Sequence, residues 1–386
     1  MALVINGRPL RVCFVAVTIY PTLCPDAGVA SIGGAEVQQK LLGEALAAQG
    51  AAVSYVTQDH GQPDAWRTGG LTVYKSYRDA DGIPGLRFFY PRVPSLWAAL
   101  GRADADIYYV RGAGYLPALV ALFCHRHRRR FVFSSASDAN VDLDLLRLPT
   151  PRDRWLYMAG LRRADAIVVQ SNLQALKLNR TFGLTGHVIR NVWSGCGRAL
   201  PPRQRRYVLW VAMFRELKQP EHFLRLARAF PDEEFVMVGG PLPGTAAYFE
   251  RIREQAATVP NLRFLGYRSL AETERLFDEA KLLVNTSRHE GFPNTFLQAW
   301  SRGVPVLSYV DPDQLIERYG LGAVAAGEAD LAATFARLLA GGSRAEDILA
   351  YFNANHSPAE IVARYEQIFA RLSRPSRWPM TERWLH

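Results

Sequence analysis

From residue 10 onward, short runs of β-branched and aromatic residues alternate with helix-length amphipathic stretches, and the alternation holds almost to the end of the chain. A chain written this way builds strand-helix-strand units, which bury both faces of a parallel sheet. The first half has strand candidates at Leu10–Val17, Ala52–Gln58, Leu71–Tyr77, Asp106–Arg111, Arg130–Ser135, Ala166–Gln170 and His187–Val192. Helical runs lie between them, notably Ala35–Gln49, stopped by Gly50, and Arg152–Arg163. A second series comprises Tyr207–Ala212, Glu234–Val238, Leu262–Gly266, Lys281–Thr286 and Val304–Tyr309, each followed by a helix candidate. Between the series, "WSGCGRALPPRQRR" (193–206) has no apolar period and carries a Pro pair and several Arg, so it reads as a linker. The expected organisation is α/β: a domain over 1–192, the linker 193–206, a domain over 207–356, and a terminal segment, 357–386. In that segment Ile361, Val362, Tyr365, Ile368, Phe369 and Leu372 form a helical stripe. The tail from 374, with two Trp and nothing local to pack on, is expected to dock back on the body.

With 386 residues, 49% of them hydrophobic, the chain can bury two cores. No apolar run reaches the roughly 18–20 residues of a membrane span. Tyr115–Cys124, broken by Pro117, reads as a buried helix. The start, MALVINGRPLRV, lacks the pattern of a secretory signal, which gives a cytoplasmic expectation. Cys13, Cys24, Cys124 and Cys196 fit neither a Cys-x-x-Cys site nor a disulfide framework. Lys plus Arg number 46 against 36 Asp plus Glu, a balance that points to an anionic partner. Two clusters concentrate the excess, one at His125–Arg130 and one at Arg203, Arg205 and Arg206. Each reads either as a solvated helix end or linker, or as an anion surface.

The most informative stretch is "RHEGFPNTFLQAWSRGVPVLS" (288–308). A buried strand ends before it and a helix, Thr295–Arg302, is expected to stop at Gly303. Glu290 to Asn294 therefore sit where a strand exits and a helix begins, the edge at which open α/β sheets bind ligands. A helix start suits a phosphate, Gly291 permits close backbone approach, and Asn294 is the expected cap. A carboxylate beside an anion site suits sugar hydroxyls, so the local reading is a ligand that is half phosphate and half sugar. The plainer reading is an ordinary turn with a solvated Glu290.

Further strand ends carry related chemistry. "VLWVAMFRELKQP" (208–220) places Arg215 and Lys218 before Pro220, a residue favoured at the first helical position. Two fixed cations there can neutralise a departing diphosphate. "FVMVGGP" puts Gly239 and Gly240 at a tight strand exit, and "LRFLGY" offers Leu265 to Tyr267 for a nucleobase. Near the start Gly33 and Gly34 precede a helix, and "SSASDAN" ends a strand with Ser137 and Asp138. There is no G-x-G-x-x-G, Walker pattern, H-E-x-x-H or G-x-S-x-G, so dinucleotide, P-loop, zinc and elbow-nucleophile chemistries gain no support.

On "IGGAEVQQKLLGEALAAQG", "LWVAMFRELKQPEHFLRLARAFPDEEFVMVGGP" and above all "VNTSRHEGFPNTFLQAWSRGVPVLS", the chain resembles the retaining glycosyltransferases of family 4 over nearly its whole length. That resemblance implies a GT-B fold, two Rossmann-like domains facing across a cleft, and sugar transfer from a nucleotide diphosphate sugar to an acceptor hydroxyl. It implies Glu290 at the transferred sugar, Arg215 and Lys218 at the diphosphate, and Gly33 and Gly34 in the first-domain phosphate loop. Backbone groups of Phe292, Pro293, Asn294 and Thr295 are implied to contact sugar and phosphate, beside Gly291. It also implies no cofactor and no metal. Two positions depart from the family pattern: Gln298 stands where a second glutamate usually holds the ribose, and Ser137 stands where a His usually precedes Asp138.

The acceptor side belongs by the same resemblance to the first domain. "GLRFFYPRVPSLWAALGR" (85–102) mixes Phe88, Phe89, Tyr90, Leu96, Trp97 and Leu100 with Arg87, Arg92 and Arg102, which fits either core or an anionic membrane surface. Together with the 125–130 cluster it leads to a peripheral enzyme with a sugar or lipid-linked sugar acceptor, in bacterial surface polysaccharide or glycolipid synthesis. The rivals are an inverting GT-B enzyme and a catalytically silent nucleotide-sugar-binding relative. No nucleic-acid module is recognisable.

Overall fold

The computed structural model describes residues 3–5, 7–24, 33–146, 148–194, 200–342 and 344–373. Cys196, the middle of the 193–206 stretch and the Trp-bearing tail lie outside them. The chain divides into two compact units, one of Met1–Val192 with Pro358–His386 and one of Trp193–Ser357.

The first unit is built on an eight-stranded sheet. Its spatial order is His187–Val188, Ala166–Val169, Arg130–Ser134, Ile107–Arg111, Arg11–Val15, Ala52–Thr57, Leu71–Lys75 and Ala65–Thr68. All pairs are parallel except the last. Because both faces are covered, the strands read as continuous apolar runs, and side-chain alternation decides which face each residue joins. Val12 and Phe14 enter one core, shared with Leu42, Leu46 and Tyr109. Cys13 and Val15 enter the other, with Tyr108, Phe131 and Phe133 against Leu96, Leu100 and Phe123. The terminal helix Pro358–Ser373 adds Ile361, Val362, Tyr365, Ile368 and Phe369 to the first of these cores, and the Tyr109 and Tyr365 hydroxyls are 3.2 Å apart.

Three features of this unit differ from the sequence reading. Ala65–Thr68 is an additional edge strand, paired antiparallel with Leu71–Lys75 through a two-residue turn in which Gly69 and Gly70 have φ of 53° and 80°. Such a turn needs positive φ at both positions, which only Gly adopts freely. Val4–Ile5 and Arg8–Pro9 form a further small antiparallel ribbon. The apolar stretch at 115–124 is the helix Leu116–Arg126, with Leu122 47% exposed, so it is only partly buried.

The second unit has six parallel strands in the order Leu262–Gly266, Glu234–Val238, Tyr207–Val211, Ala280–Asn285, Val306–Ser308 and Gly322–Val324. From Tyr207–Val211 the chain adds strands outward on one side, then returns to place Ala280–Asn285 on the other. The reversal falls between those two strands. No helix among the described residues is long and apolar enough to cross a membrane.

Part of each basic cluster has a structural role, while His125, Arg126, His127 and Arg128 are exposed. Arg129 pairs with Asp104 at 2.5 Å and Asp106 at 3.5 Å, and Arg130 pairs with Asp165 at 3.2 Å. Arg205 donates to the carbonyls of Leu200, Arg302 and Gly303 at 3.0, 2.7 and 2.9 Å, and burial lowers its pKa. It ties the chain entering the second unit to the turn after a helix, whereas Arg203 and Arg206 remain exposed.

Asp106 is the hub of the first unit's amino edge. Burial alone would raise its pKa, but hydrogen bonds from Arg8 and Arg11 outweigh it and bring it down to about 2. A carboxyl depressed in the folded state stabilises fully above its unfolded value of about 3.9 and loses that contribution as pH falls through the folded value. Asp106→Asn is expected to lower stability at pH 7 and to flatten the loss between about pH 4 and 2. Urea unfolding followed by circular dichroism at pH 7 and pH 3 checks this; parallel pH dependence in both proteins would remove the role.

Candidate functional site

In an open parallel sheet, the two strands flanking the reversal send their following loops apart and open a crevice at their carboxyl ends. In the second unit those loops are residues 212–219, after Tyr207–Val211, and 286–293, after Ala280–Asn285. The first carries Arg215 and Lys218, and the second carries Glu290. Backbone bonds join these exits to their neighbours: Ala212 N–H to Val238 O at 3.1 Å, Phe214 N–H to Gly240 O at 2.9 Å, Gly239 N–H to Gly266 O at 3.0 Å, and Arg288 N–H to Leu217 O at 3.0 Å. Gly239 makes this possible, since a Cβ there would lie 1.8 Å from the Ala212 carbonyl oxygen.

Lys218 ends a single tight turn, Glu216–Lys218, and is followed by Gln219 in the left-handed region at φ 46°, ψ 52°. Pro220 then opens the helix Pro220–Ala229, which fits its fixed φ. A left-handed non-Gly residue costs about 1–3 kcal/mol and persists only where its surroundings hold it. Here the Thr286 hydroxyl donates to the Lys218 carbonyl at 2.6 Å, while the Trp210 indole N–H donates to the same hydroxyl at 3.0 Å.

The Lys218 ammonium donates to Glu290 Oε1, with only 13% and 15% of the two side chains exposed. Asn285 Nδ2 reaches the same oxygen at 3.4 Å, and Asn285 Oδ1 accepts from the Ser287 N–H at 2.9 Å. Arg215 is exposed, and its guanidinium forms no ion pair among the described residues. Thus Lys218 and Glu290 come together although 72 residues separate them. Asn285 and Thr286, which the sequence reading passed over, position them. Their signal was polarity at the end of an otherwise apolar strand.

The helix after Glu290 spans Asn294–Trp300, and its N-cap is Pro293. Asn294 is the first helical residue rather than the expected cap, because the Pro-fixed backbone at 293 supplies the entry. Phe292 is buried against Trp300 and His356, with ring centroids 6.2 and 5.3 Å away. Pro293 is buried too, while Gly291, Asn294 and Thr295 are half-buried. Leu265 is half-buried, and Tyr267 is 41% exposed beside Gly240, where a Cβ would lie 3.1 Å from that of Tyr267.

Gln298 is buried, and its amide nitrogen donates to Glu274 Oε1 at 2.5 Å. Arg302, only 2% exposed, donates to the other Glu274 oxygen at 2.9 Å and to Asp278 Oδ1 at 2.5 Å. A glutamate at 298 would set two carboxylates within hydrogen-bonding distance, and one would have to take up a proton. An amide at 298 donates instead, and so fits beside the Glu274 carboxylate. Glu274, Asp278 and Arg302 were not singled out from the sequence, although Glu274 and Asp278 share a helix face and Arg302 lies one turn after Gln298.

In the first unit, Gly33 is the N-cap of Gly34–Ala48. The Glu36 carboxylate folds over it: a Cβ on Gly33 would lie 2.1 Å from Glu36 Oε2, and Thr18 Oγ1 donates to Glu36 Oε1 at 2.6 Å. A carboxylate of the protein's own thus stands beside Gly33 at this helix start. Ser137 caps the turn Asp138–Asn140 in a reciprocal arrangement with Asn140. Asp138 Oδ1 accepts from Gln174 at 2.9 Å, with the Lys177 ammonium 4.0 Å from Oδ2. Among the described residues no group of three or more His, Cys, Asp or Glu side chains is placed to hold a metal.

Two family models match the chain: Glycosyltransferase Family 4 over residues 32–192 and Glycosyl transferases group 1 over residues 205–341. No curated protein sequence matches. Among solved structures, a sucrose-phosphate synthase (tll1590) from Thermosynechococcus elongatus superposes with a TM-score of 0.73 at 20% identity, covering 95% of this chain and 99% of that one. Anabaena Alr3699/HepE, in complex with UDP and glucose, gives 0.72 at 15% identity over 95% and 100%. The apo lipopolysaccharide outer core galactosyltransferase WaaB gives 0.65 at 15% identity over 93% and 99%.

Removing a buried cation while leaving its carboxylates costs several kcal/mol. Arg302→Met is expected to destabilise the second unit by about 3 kcal/mol, and Arg302→Met combined with Glu274→Gln by less. Urea midpoints measure both. Equal stability of Arg302→Met and the parent would mean that the cluster does not support the Gln298 helix.

Proposed function

Since the chain belongs to the group 1 glycosyltransferases, enzymes of GT-B fold, we propose that it moves a glycosyl group from a nucleotide diphosphate sugar to an acceptor hydroxyl with retention at the anomeric carbon. The observation that carries this reading is the Lys218–Glu290 pair at the strand reversal, with Arg215 in the same loop as Lys218. An ammonium has three donors, so Lys218 can hold Glu290 and a phosphate oxygen together. As the bond to the sugar breaks, negative charge grows on the departing diphosphate, and Lys218 and Arg215 stabilise it. These cations supply the charge that a metal supplies elsewhere, so no metal is needed.

Lys218 and Asn285 both contact Oε1 of Glu290, and the other oxygen is directed to a sugar hydroxyl. The nucleoside lies toward the neighbouring strand exits, with its base against Tyr267 and the backbone of Leu265 and Gly240. The Gln298 carbonyl oxygen accepts a ribose hydroxyl, its amide held by Glu274. HepE in complex with UDP and glucose makes uridine the first nucleoside to test. The first unit supplies the acceptor side through Ser137 and Asp138. The acceptor is a sugar or lipid-linked sugar of a surface polysaccharide or glycolipid, met by the enzyme at the cytoplasmic face of the membrane.

UDP is expected to raise the melting temperature more than GDP or ADP, since a ligand bound only by the folded state stabilises it. Lys218→Ala is expected to slow donor turnover by about 100-fold or more. Wild-type turnover in Lys218→Ala would end the assignment. An inverted product, read by NMR at the anomeric carbon, would replace retention with inversion. Nucleotide binding without any turnover would leave a silent binding relative.

A further inference from the structure

Most large apolar side chains of the first unit are covered, but one segment concentrates the most exposed ones. Residues 78–86 are exposed without interruption. Within and just after them Ile83, Leu86, Phe89 and Tyr90 are 68%, 60%, 64% and 74% exposed. Singly exposed apolar residues are ordinary, but four within eight positions form a patch that calls for a partner.

The patch is held in place. Leu86 and Arg87 N–H groups donate to Ile83 O, and Phe89 and Tyr90 N–H groups donate to Leu86 O, so the segment winds as one turn with these side chains outward. Arg92 pairs with Asp79 at 2.9 Å, and Phe88 is buried beneath with the Arg152 guanidinium 4.0 Å above its ring. Arg152 opens the helix Pro151–Arg162. One turn on, Trp155 is 68% exposed and Arg154 is exposed beside it. The result is a knob of Ile, Leu, Phe, Tyr and Trp set among Arg87, Arg92, Arg152 and Arg154.

We propose that this knob seats the protein on an anionic lipid bilayer, with the apolar side chains in the acyl boundary and the arginines among the headgroups. Aromatic and Arg side chains carry an apolar body and a polar end, which suits the boundary between acyl chains and headgroups. Asp79 and Asp153 are matched by Arg92 and Arg152, and among the described residues neither Arg87 nor Arg154 forms an ion pair, so both can meet lipid phosphates. Placement supports the same occupant. The knob follows the carboxyl end of Leu71–Lys75, and Ser137 and Asp138 follow the carboxyl end of Arg130–Ser134 in the same parallel sheet. Acceptor side chains and knob thus share one edge. The 125–130 cluster precedes Arg130–Ser134 and lies at the opposite edge, so it takes no part. This inference rests on the reading that the acceptor is met at a lipid surface.

The full chain, sedimented at low salt with vesicles of phosphatidylglycerol and phosphatidylcholine, is expected to pellet. Phe89→Ser/Tyr90→Ser is expected to partition at least tenfold less, with Leu86→Ser as a second variant. Melting temperature and the nucleotide-induced shift are expected to be unchanged in both. Wild type left in the supernatant, or variants that pellet as wild type does, would overturn the proposal. So would a dimer that the double variant dissolves in the absence of lipid. Vesicle binding without any nucleotide shift would sink the donor reading while leaving this one standing.

Discussion

The parallel pairing of Tyr207–Val211 with Ala280–Asn285 is the constraint on which the candidate chemistry depends. These strands are far apart in sequence and adjacent in space, and each carries one half of an ion pair in the loop that follows it. Both faces of the pair are buried, Val208, Leu282 and Val284 on one and Leu209 and Leu283 on the other, so a shift of one residue would exchange these side chains between differently packed cores. Their packing therefore fixes the register. The register fixes the loop starts, and the loop starts set Lys218 against Glu290.

That chain of dependence accounts for the density of polar contacts beneath the site. Thr286, Asn285 and the Trp210 indole are not themselves suited to bind a diphosphate sugar. They hold the backbone at Lys218 in place beside a strained Gln219 and aim one oxygen of Glu290 at the ammonium. A similar support lies on the following helix, where Arg302 joins Glu274 and Asp278 and leaves Gln298 as a hydrogen-bond donor. The glutamine is an adjustment to a carboxylate from a neighbouring helix, and the two positions form one unit of charge.

Charge elsewhere shows the same economy. Arg129, Arg130 and Arg205 look in sequence like a surface for anions, yet each is engaged by carboxylates or carbonyls of the fold. The excess of basic residues is thus a poor guide to where a partner binds. Exposed apolar side chains held by a pinned backbone are more informative, because nothing in the fold requires Phe89, Tyr90 or Trp155 to face water.

Much of this protein was legible from its residues. The α/β class, the two series of strands and the terminal helix stripe follow from periodicity, since a buried face imposes its repeat locally. The edge strand Ala65–Thr68 was missed because it holds a single large apolar residue, although the Gly69–Gly70 pair marked its turn. The candidate residues Glu290, Lys218 and Arg215 could be chosen by type and by position at strand ends. Their partners could not: Asn285 against Glu290, Glu274 against Gln298 and Glu36 over Gly33 depend on side-chain direction and on which strands become neighbours. Sequence carries the local repeat that selects strands and helices. The long-range order of those strands, and with it every contact between distant charges, is decided only when the sheets assemble.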